Sequence, residues 1–424
     1  MNRSRRAVLR LGAGALAGAS LAGCLGDPGT TTTTAQPSST TDESTTTEPT
    51  DLPDHARWGV ETGGPIRVGP TVRDGTVYAG SGDGNLYALA PDDGSERWRF
   101  DTGAVFFGGT GYPDRSPLVA DGTVYAVSGD QSGAHGDDFG VYAVDAASGE
   151  EQWSYTRSYP KFLTLLGVVD GLALVVTSDD ALGPTGESLL ALDAATGEVR
   201  WTAEVGDSQG VAIGAGAVYV AAYRRLYAID LADGTERWRR DFEGGTVGPG
   251  FAGDTVFAGS EDYDSPAVHA FDPATGEVQW SVEGWAITSL LAADALYLGG
   301  ENVASYAPDG TERWRHDAGG LIGRVPVTAG TLYVGSGTVT ALSAADSSVR
   351  WTFDVDAEYG AAEAADDRVV AVTRQGQPVL DVLDVSSGDR KFVFEGEQSL
   401  TNPDVQDGRV FVGDESGTVY ALDE

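Results

Sequence analysis

Few residues of this chain are of the types that perform catalysis or bind transition metals. Among 424 residues there is one cysteine, Cys24, and there are four histidines. The histidines, His55, His135, His269 and His316, lack the short spacings of metal ligands and have no cysteine partner. We therefore predict no catalytic residue.

Carboxylates, in contrast, are abundant, and three long acidic loops offer oxygen ligands for a hard cation such as Ca²⁺. The loops cover residues 128–140, 177–187 and 260–266. The best candidate set is Asp130, Asp137 and Asp138 in the first of them. The alternative is a solvated surface, because this acidic chain carries Asp in nearly every loop and none of the three matches the helix–loop–helix calcium pattern.

Two further loops, residues 101–117 and 154–164, combine aromatic side chains with the scarce cations. Aromatic and arginine side chains are enriched at the centres of protein interfaces, and loops often carry function. The candidates for contact with a partner are Phe106, Phe107, Tyr112, Tyr155, Arg157 and Tyr159. The alternative, that these aromatic side chains fill the mouth of the fold, stays open.

The elements that must position these loops follow from an internal repeat. Nine aromatic residues recur with a mean spacing of about 42 residues, which indicates a repeat architecture. They are Trp58, Trp98, Trp153, Trp201, Trp238, Trp280, Trp314, Trp351 and Phe392. Because they recur once per unit, we predict that they pack between units rather than bind a ligand.

Within each unit, apolar residues alternate with period two and Asp-Gly pairs such as Asp74-Gly75 mark tight hairpins, which predicts four short strands per unit. Stacked around an axis, such units form a β-propeller. Nine second strands can be counted, so we predict nine blades, with eight as the alternative if one copy packs outside the ring. The strand at Trp58 should complete the C-terminal blade and close the ring.

The segments Tyr142-Ala-Val-Asp-Ala-Ala-Ser-Gly-Glu-Glu-Gln-Trp153 and Leu190-Ala-Leu-Asp-Ala-Ala-Thr-Gly-Glu-Val-Arg-Trp201 resemble the repeat of the PQQ-like, quinoprotein-type β-propeller superfamily. The resemblance covers residues 58–424. It implies either a quinoprotein dehydrogenase, or a non-catalytic lipoprotein like the propeller of the bacterial β-barrel assembly machinery.

The resemblance also sets out what an enzyme of this family would need. A quinoprotein holds PQQ and Ca²⁺ in the axial funnel beside a catalytic carboxylate, and many relatives add two adjacent cysteines, which this chain lacks. Trp285 lies outside the repeat pattern and is the best candidate for stacking on a ligand, with ordinary packing as the alternative. We expect no cofactor, and PQQ in particular is not expected.

The N-terminal part resembles an export signal rather than a folded domain. Arg5 and Arg6 precede an apolar stretch, residues 11–22, that is too short to span a bilayer, as in a twin-arginine signal. Residues 1–23 are the predicted signal peptide, and Cys24 is the predicted lipidation site. Residues 24–57 contain a Thr-rich stretch with almost no apolar side chains and are predicted to be a disordered stalk.

Charge limits the partners. The chain has 27 basic and 64 acidic side chains; removing the four arginines of the signal leaves 23 against 64, a net charge of −41. Such a field repels nucleic acid and anionic membranes, so we expect no nucleic-acid partner and membrane contact through the lipid alone. The acidic excess with only two lysines resembles proteins of extremely halophilic archaea.

These observations together predict a lipid-anchored, non-catalytic propeller on the extracytoplasmic face of the cell membrane, binding a protein or a glycan. The alternative is a PQQ-dependent dehydrogenase acting outside the membrane.

Overall fold

The fold is all-β in a computed structural model that describes residues 52–424 apart from short gaps. The gaps are residues 107–115, 130–138, 158–160, 180–187, 207, 261–265, 284–286, 294, 301, 318–326, 336–337, 355–358, 366 and 374–377. The described residues form nine antiparallel sheets of four strands, which are the blades of a ring. The nine-bladed β-propeller is thereby confirmed and the eight-bladed alternative is excluded.

Each blade runs from an innermost strand at the axis to an outermost strand at the rim, and the strands are numbered along the chain. The innermost strands are β2 (Thr71–Arg73), β6 (Leu118–Ala120), β10 (Lys161–Val169), β14 (Ser208–Gly214), β18 (Thr246–Ala252), β22 (Ile287–Ala292), β26 (Val327–Thr328), β30 (Tyr359–Ala365) and β34 (Asp404–Gln406). The second strands are β3 (Thr76–Gly80), β7 (Thr123–Ser128), β11 (Leu172–Asp179), β15 (Ala217–Ala222), β19 (Thr255–Ser260), β23 (Leu296–Gly300), β27 (Thr331–Gly335), β31 (Arg368–Thr373) and β35 (Arg409–Gly413). The third strands are β4 (Asn85–Leu89), β8 (Phe139–Asp145), β12 (Ser188–Asp193), β16 (Arg225–Asp230), β20 (Ala267–Phe271), β24 (Asn302–Tyr306), β28 (Thr338–Ser343), β32 (Val379–Asp384) and β36 (Thr418–Leu422). The outermost strands are β5 (Glu96–Asp101), β9 (Glu151–Arg157), β13 (Val199–Glu204), β17 (Glu236–Asp241), β21 (Val278–Glu283), β25 (Glu312–Asp317), β29 (Val349–Asp354), β33 (Arg390–Glu395) and β1 (Ala56–Glu61).

In most blades the first hairpin closes through two residues at positive φ. In the first blade, β2–β5, Asp74 and Gly75 have φ of 49° and 69°. This left-handed pair matches the twist of the two strands, and Asp and Gly tolerate it best. The sequence therefore located these turns correctly. The fourth and seventh blades place Ala215 and Ala329 at the position of Asp74, and both keep a φ of 48°.

Burial differs between the inside and the rim of a blade. Every residue of β3 and of β7 is buried, on both faces of the sheet. The rim strand β17 instead exposes most of its residues and buries Trp238. A blade packs against a neighbour on each face, so its second and third strands are shielded while its rim meets water. Alternation therefore identified strands correctly, but in the second and third strands it does not separate buried from exposed positions.

The ninth blade is built from both ends of the described chain. β1 pairs antiparallel with β36, with Trp58 opposite Ala421 and Val60 opposite Val419. The Asp423 N–H also donates to the His55 carbonyl oxygen at 3.1 Å. The predicted closure of the ring is confirmed, and it covers an edge of β36 that would otherwise be unpaired.

Candidate functional site: the loop face of the ring

The two faces of the ring carry different kinds of link. The turn face holds the turns from the first to the second strand and from the third to the fourth strand. The loop face holds the links from the second to the third strand and from one blade to the next. Links of the turn face are nearly uniform in length, whereas second-to-third links of the loop face range from one residue, 301, to ten, residues 129–138. Variation, and with it any specific binding, is concentrated on the loop face.

The rim holds the blades together through the repeated indoles. The Nε1–H of Trp98 donates to the Ala146 carbonyl oxygen of the next blade at 3.0 Å. Eight outermost strands make this bond to the same position of the next blade, with distances of 2.9 to 3.0 Å. The donors are Trp58, Trp98, Trp153, Trp201, Trp238, Trp280, Trp314 and Trp351. These indoles are structural, as the repeat predicts.

A glycine of the next blade makes room for each of seven of these rings. Gly149 has a φ of 74°, and a Cβ built on it would lie 2.7 Å from the Trp98 ring. A side chain at Gly149 would be strained by the backbone and would overlap the indole ring. Ser347 stands at this position in the seventh blade, β26–β29, and keeps a φ of 58°.

Aspartates at the ends of third strands fix the turns beside these rings. Asp145 accepts the backbone N–H groups of Ala147 at 3.1 Å and Ser148 at 2.8 Å, together with the Ser148 hydroxyl. Hydrogen bonds from Ser148 lower the pKa of Asp145. The pKa of Asp384 falls to about 2, first through the hydroxyl and backbone of Ser386. Much of the acidic turn face thus serves turn structure.

On the loop face, Phe106 is a packing residue. Its side chain is fully buried. A Cβ built on Gly80 would lie 2.3 Å from the Phe106 ring, so the ring occupies the space that a larger residue at position 80 would need. Ile66, in the link that precedes the first blade, is also fully buried, and its side chain occupies the space beside Gly413. Phe106 therefore matches the alternative in which the loop aromatics fill the fold, and it presents no surface to a partner in this structure.

Tyr155 and Arg157 form a half-buried pair at the loop-face end of β9. The Arg157 Nε donates to the Tyr155 hydroxyl oxygen at 2.6 Å, and its guanidinium lies 5.5 Å from the ring centroid. Tyr155 packs on a cluster that includes Phe139, Trp153 and Leu163, at the junction of the second and third blades. Because this cluster fixes the Tyr155 ring, the ring and its hydroxyl hold the Arg157 guanidinium in place.

Most other predicted site residues lie outside the described residues. These are the partner candidates Phe107, Tyr112, Tyr159 and Trp285, the metal candidates Asp130, Asp137 and Asp138, the lipidation site Cys24, and the signal residues Arg5 and Arg6. In the part of the chain that is described, no group of three or more His, Cys, Asp or Glu is placed to hold a metal. That part also contains no helix long and apolar enough to cross a bilayer.

Sequence reasoning missed an aspartate that shapes the loop face of the first blade. Asp83 accepts the Tyr87 hydroxyl at 2.6 Å and the Gly63 N–H at 2.9 Å, and so joins a second-to-third link to an inter-blade link. Burial first, and then this hydrogen bond, raise the pKa of Tyr87. The signal was an Asp four residues before the Tyr of a third strand, hidden among many other loop aspartates.

Comparison with known proteins gives a family model that matches almost the whole ring. The model, described as outer membrane protein assembly factor BamB, matches residues 50–208, 185–304 and 299–424. Serine/threonine-protein kinase AfsK of Streptomyces griseus is 32% identical over 166 residues, which are 36% of this chain and 20% of the kinase. BamB of Burkholderia pseudomallei is 26% identical over 239 residues, 53% of this chain and 56% of the relative. The chain thus spans a fifth of the kinase and about half of the assembly factor.

Solved structures agree on the fold. BamB from Moraxella catarrhalis superposes with a TM-score of 0.52 at 18% identity, covering 73% of this chain and 96% of that chain. Quinohemoprotein alcohol dehydrogenase ADHIIG from Pseudomonas putida HK5 superposes with a TM-score of 0.53 at 14% identity. This superposition covers 87% of this chain and 76% of that chain. At these identities the likeness concerns the fold alone. Family match, repeat and nine-bladed ring agree, and this chain belongs to the PQQ-like repeat family described as outer membrane protein assembly factor BamB.

Proposed function

We propose that the protein is a non-catalytic scaffold, anchored by lipid to the extracytoplasmic face of the cell membrane, that binds a protein or glycan through its loop face. Relatives named assembly factors are precedents for a binding role of this ring. The kinase match covers a fifth of that relative, so no kinase activity is proposed.

The observation that carries the proposal is the pair formed by Tyr155 and Arg157. Arginine over an aromatic ring keeps its donors in a fixed place, and both residue types are common at interface hot spots. The pair borders the link of residues 158–160, which includes the candidate Tyr159. In a chain of net charge −37, a cation held in this way gives this part of the loop face a fixed positive group.

A capture experiment from intact membranes in molar KCl tests this surface. We expect the unaltered protein to retain a partner that Tyr155→Ala with Arg157→Ala loses. The matched control is Arg99→Ala in the first blade, where the guanidinium also lies over a tyrosine ring, that of Tyr87, at 5.9 Å. Identical capture by the double variant and the unaltered protein would refute the assigned surface.

We propose that Cys24 carries the lipid anchor and that Arg5 and Arg6 direct export. The proposed source is a cell of the extremely halophilic archaeal type. Cys24→Ser should release the protein from membranes or block its processing. Arg5→Lys with Arg6→Lys should stop export, because the twin-arginine route recognises the arginine pair. A Cys24→Ser protein that is processed and still sediments with membranes would contradict lipid anchoring.

The dehydrogenase alternative has support only at the level of fold. Its stacking candidate, Trp285, lies outside the described residues, and the described rim indoles donate to neighbouring blades. Addition of PQQ and Ca²⁺ to the purified protein distinguishes the two functions. We expect no bound quinone absorbance; saturable absorbance would favour the dehydrogenase.

A further inference from the structure

Two neighbouring blades carry opposite charge. The fourth blade, β14–β17, contains five arginines against four carboxylates, and no other blade has more basic than acidic residues. The fifth blade, β18–β21, contains seven carboxylates and no lysine or arginine. The next cation after Arg240 is Arg313. A chain that is acidic almost everywhere therefore has one sharp reversal of charge at its rim.

The positive side of this reversal is the basic rim, which we define as Tyr223 and Arg224 on the loop face with Arg225 and Arg239 on the two outer strands, β16 and β17. Tyr223, at the tip of the hairpin between β15 and β16, is 63% exposed, the most exposed large apolar side chain among the described residues. The Arg225 side chain is 52% exposed in its pair with Asp241, and Arg239 is 56% exposed in its pair with Glu236. Exposed pairs of this kind are weak, so both arginines can exchange partners at little cost.

The negative side is the acidic rim, which we define as Glu277, Val278 and Glu283 at the two ends of β21. Both glutamates are exposed, and Val278 is 51% exposed between them. Indole contacts tie the two rims together, since Trp238 of the fourth blade donates to the Pro273 carbonyl oxygen of the fifth at 2.9 Å. The two rims thus form one rigid surface with exposed apolar residues on each side.

We propose that this surface pairs with the same surface of a second copy of the chain around a two-fold axis. In a two-fold interface every contact between two residues occurs twice, once in each half. We place the basic rim of each copy against the acidic rim of the other, so that the same pairing forms in both halves. A wholly acidic partner would be repelled by the acidic rim, and a basic one by the basic rim. A second copy fits, because it offers an acidic rim to the basic rim and a basic rim to the acidic rim.

Salt then acts in the direction opposite to that of an ordinary charged complex. Two chains of net charge −37 repel each other at long range, whereas the rim contacts are short. In molar salt the screening length falls to about 3 Å, which removes the long-range repulsion but leaves direct contacts and apolar burial. The dimer should form in molar KCl and dissociate as the salt is lowered.

Sedimentation velocity of the purified protein in molar KCl tests the pairing. We expect a dimer, and Arg225→Glu with Arg239→Glu should weaken it at least about tenfold. The matched control, Arg313→Glu with Arg315→Glu, makes the same charge change on β25 of the sixth blade and should leave the dimer intact. Circular dichroism checks that each protein is folded at each salt concentration.

Mixing two variants tests the two-fold geometry. Glu277→Arg with Glu283→Arg should be monomeric alone, as should the arginine-to-glutamate variant, because each creates like-charge contacts at both halves of the interface. A mixture restores opposite charges at both halves and should give a heterodimer. A wild-type monomer in molar KCl, or a dimer insensitive to the basic-rim variant, would overturn the proposal.

Discussion

Two kinds of joint hold the ring together, and they rely on different interactions. At eight joints an indole N–H donates to a carbonyl oxygen of the next blade. At the ninth, between the eighth and ninth blades, the aromatic is Phe392, which stacks on the His55 ring with centroids 4.7 Å apart. Phenylalanine has no donor, and the turn that it faces is made from two chain segments rather than one.

Charges surround this ninth joint, and we call the joint together with the β1–β36 pairing of the ninth blade the seam. The Lys391 Nζ lies 3.0 Å from Glu424, 3.3 Å from Asp367 and 3.6 Å from Asp384. In the ninth blade itself, Arg57 lies 3.4 Å from Asp423. A joint made by continuous chain can depend on a buried neutral bond, whereas the seam depends on strand pairing and ion pairs. We expect the two kinds of joint to respond differently to truncation, substitution, acid and salt.

The largest effect should come from removing the closing strand. A protein that begins at Thr62 lacks β1, so it loses the pairing with β36 and the Trp58 bond to Pro91. We expect an unfolded or aggregating protein, because an open ring exposes a strand edge and two blade faces. A protein that begins at Leu52 is the control and should melt like the full chain. Equal melting temperatures for both truncations would show that the seam does not hold the ring.

Next in size is the loss of one regular joint. Trp201 is buried and donates to the Leu231 carbonyl oxygen at 3.0 Å. Trp201→Ala should cost about 3–5 kcal/mol in the free energy of unfolding, as expected for a large cavity. Trp201→Phe keeps most of the packing and should cost about 1 kcal/mol for the lost bond. Denaturant unfolding in molar KCl measures both, and equal losses would mean that the hydrogen bond rather than the packing holds the joint.

Sequence repeats predict the regular joints well because every copy carries the same signal. The recurrence of Trp, Gly and Asp-Gly gave the number of blades, the turns and the role of the indoles. The seam was predicted only as a strand pairing, since nothing local connects Lys391 with Glu424 or Phe392 with His55. Phe106 shows the same limit, because its burial depends on the space above Gly80 at the end of β3. The link Tyr223–Arg224 has two residues, too few to fold back onto the blade, and this leaves Tyr223 exposed at its tip.

Acid should weaken both kinds of joint through the turn aspartates, with a smaller effect than the loss of an indole. The pKa of Asp384 is about 2, below its ordinary 3.8, because Ser386 donates to it and Lys391 lies nearby. A lowered folded-state pKa gives stability that is full above the unfolded value and is lost as the pH falls toward about 2. Thermal melting in molar KCl at a series of acidic pH values should show this loss. Asp384→Asn should reduce it, and an unchanged pH profile for that variant would contradict the assignment.

The smallest effect, and the one that best separates the two kinds of joint, concerns Lys391. Its side chain is 18% exposed among three carboxylates, so Lys391→Met leaves those carboxylates to repel one another across the seam. We expect a cost of about 1 kcal/mol or less at moderate salt, falling further in molar KCl as screening shortens to about 3 Å. Trp201→Phe, which removes a neutral bond, should cost the same at both salt concentrations. Arg200→Met, which breaks an exposed pair with Asp193 in a regular blade, controls for the general loss of a cation. If Lys391→Met were no more salt-sensitive than Trp201→Phe, the seam would be held by its strand pairing alone, and the cluster around Lys391 would be only a solvated group of charges.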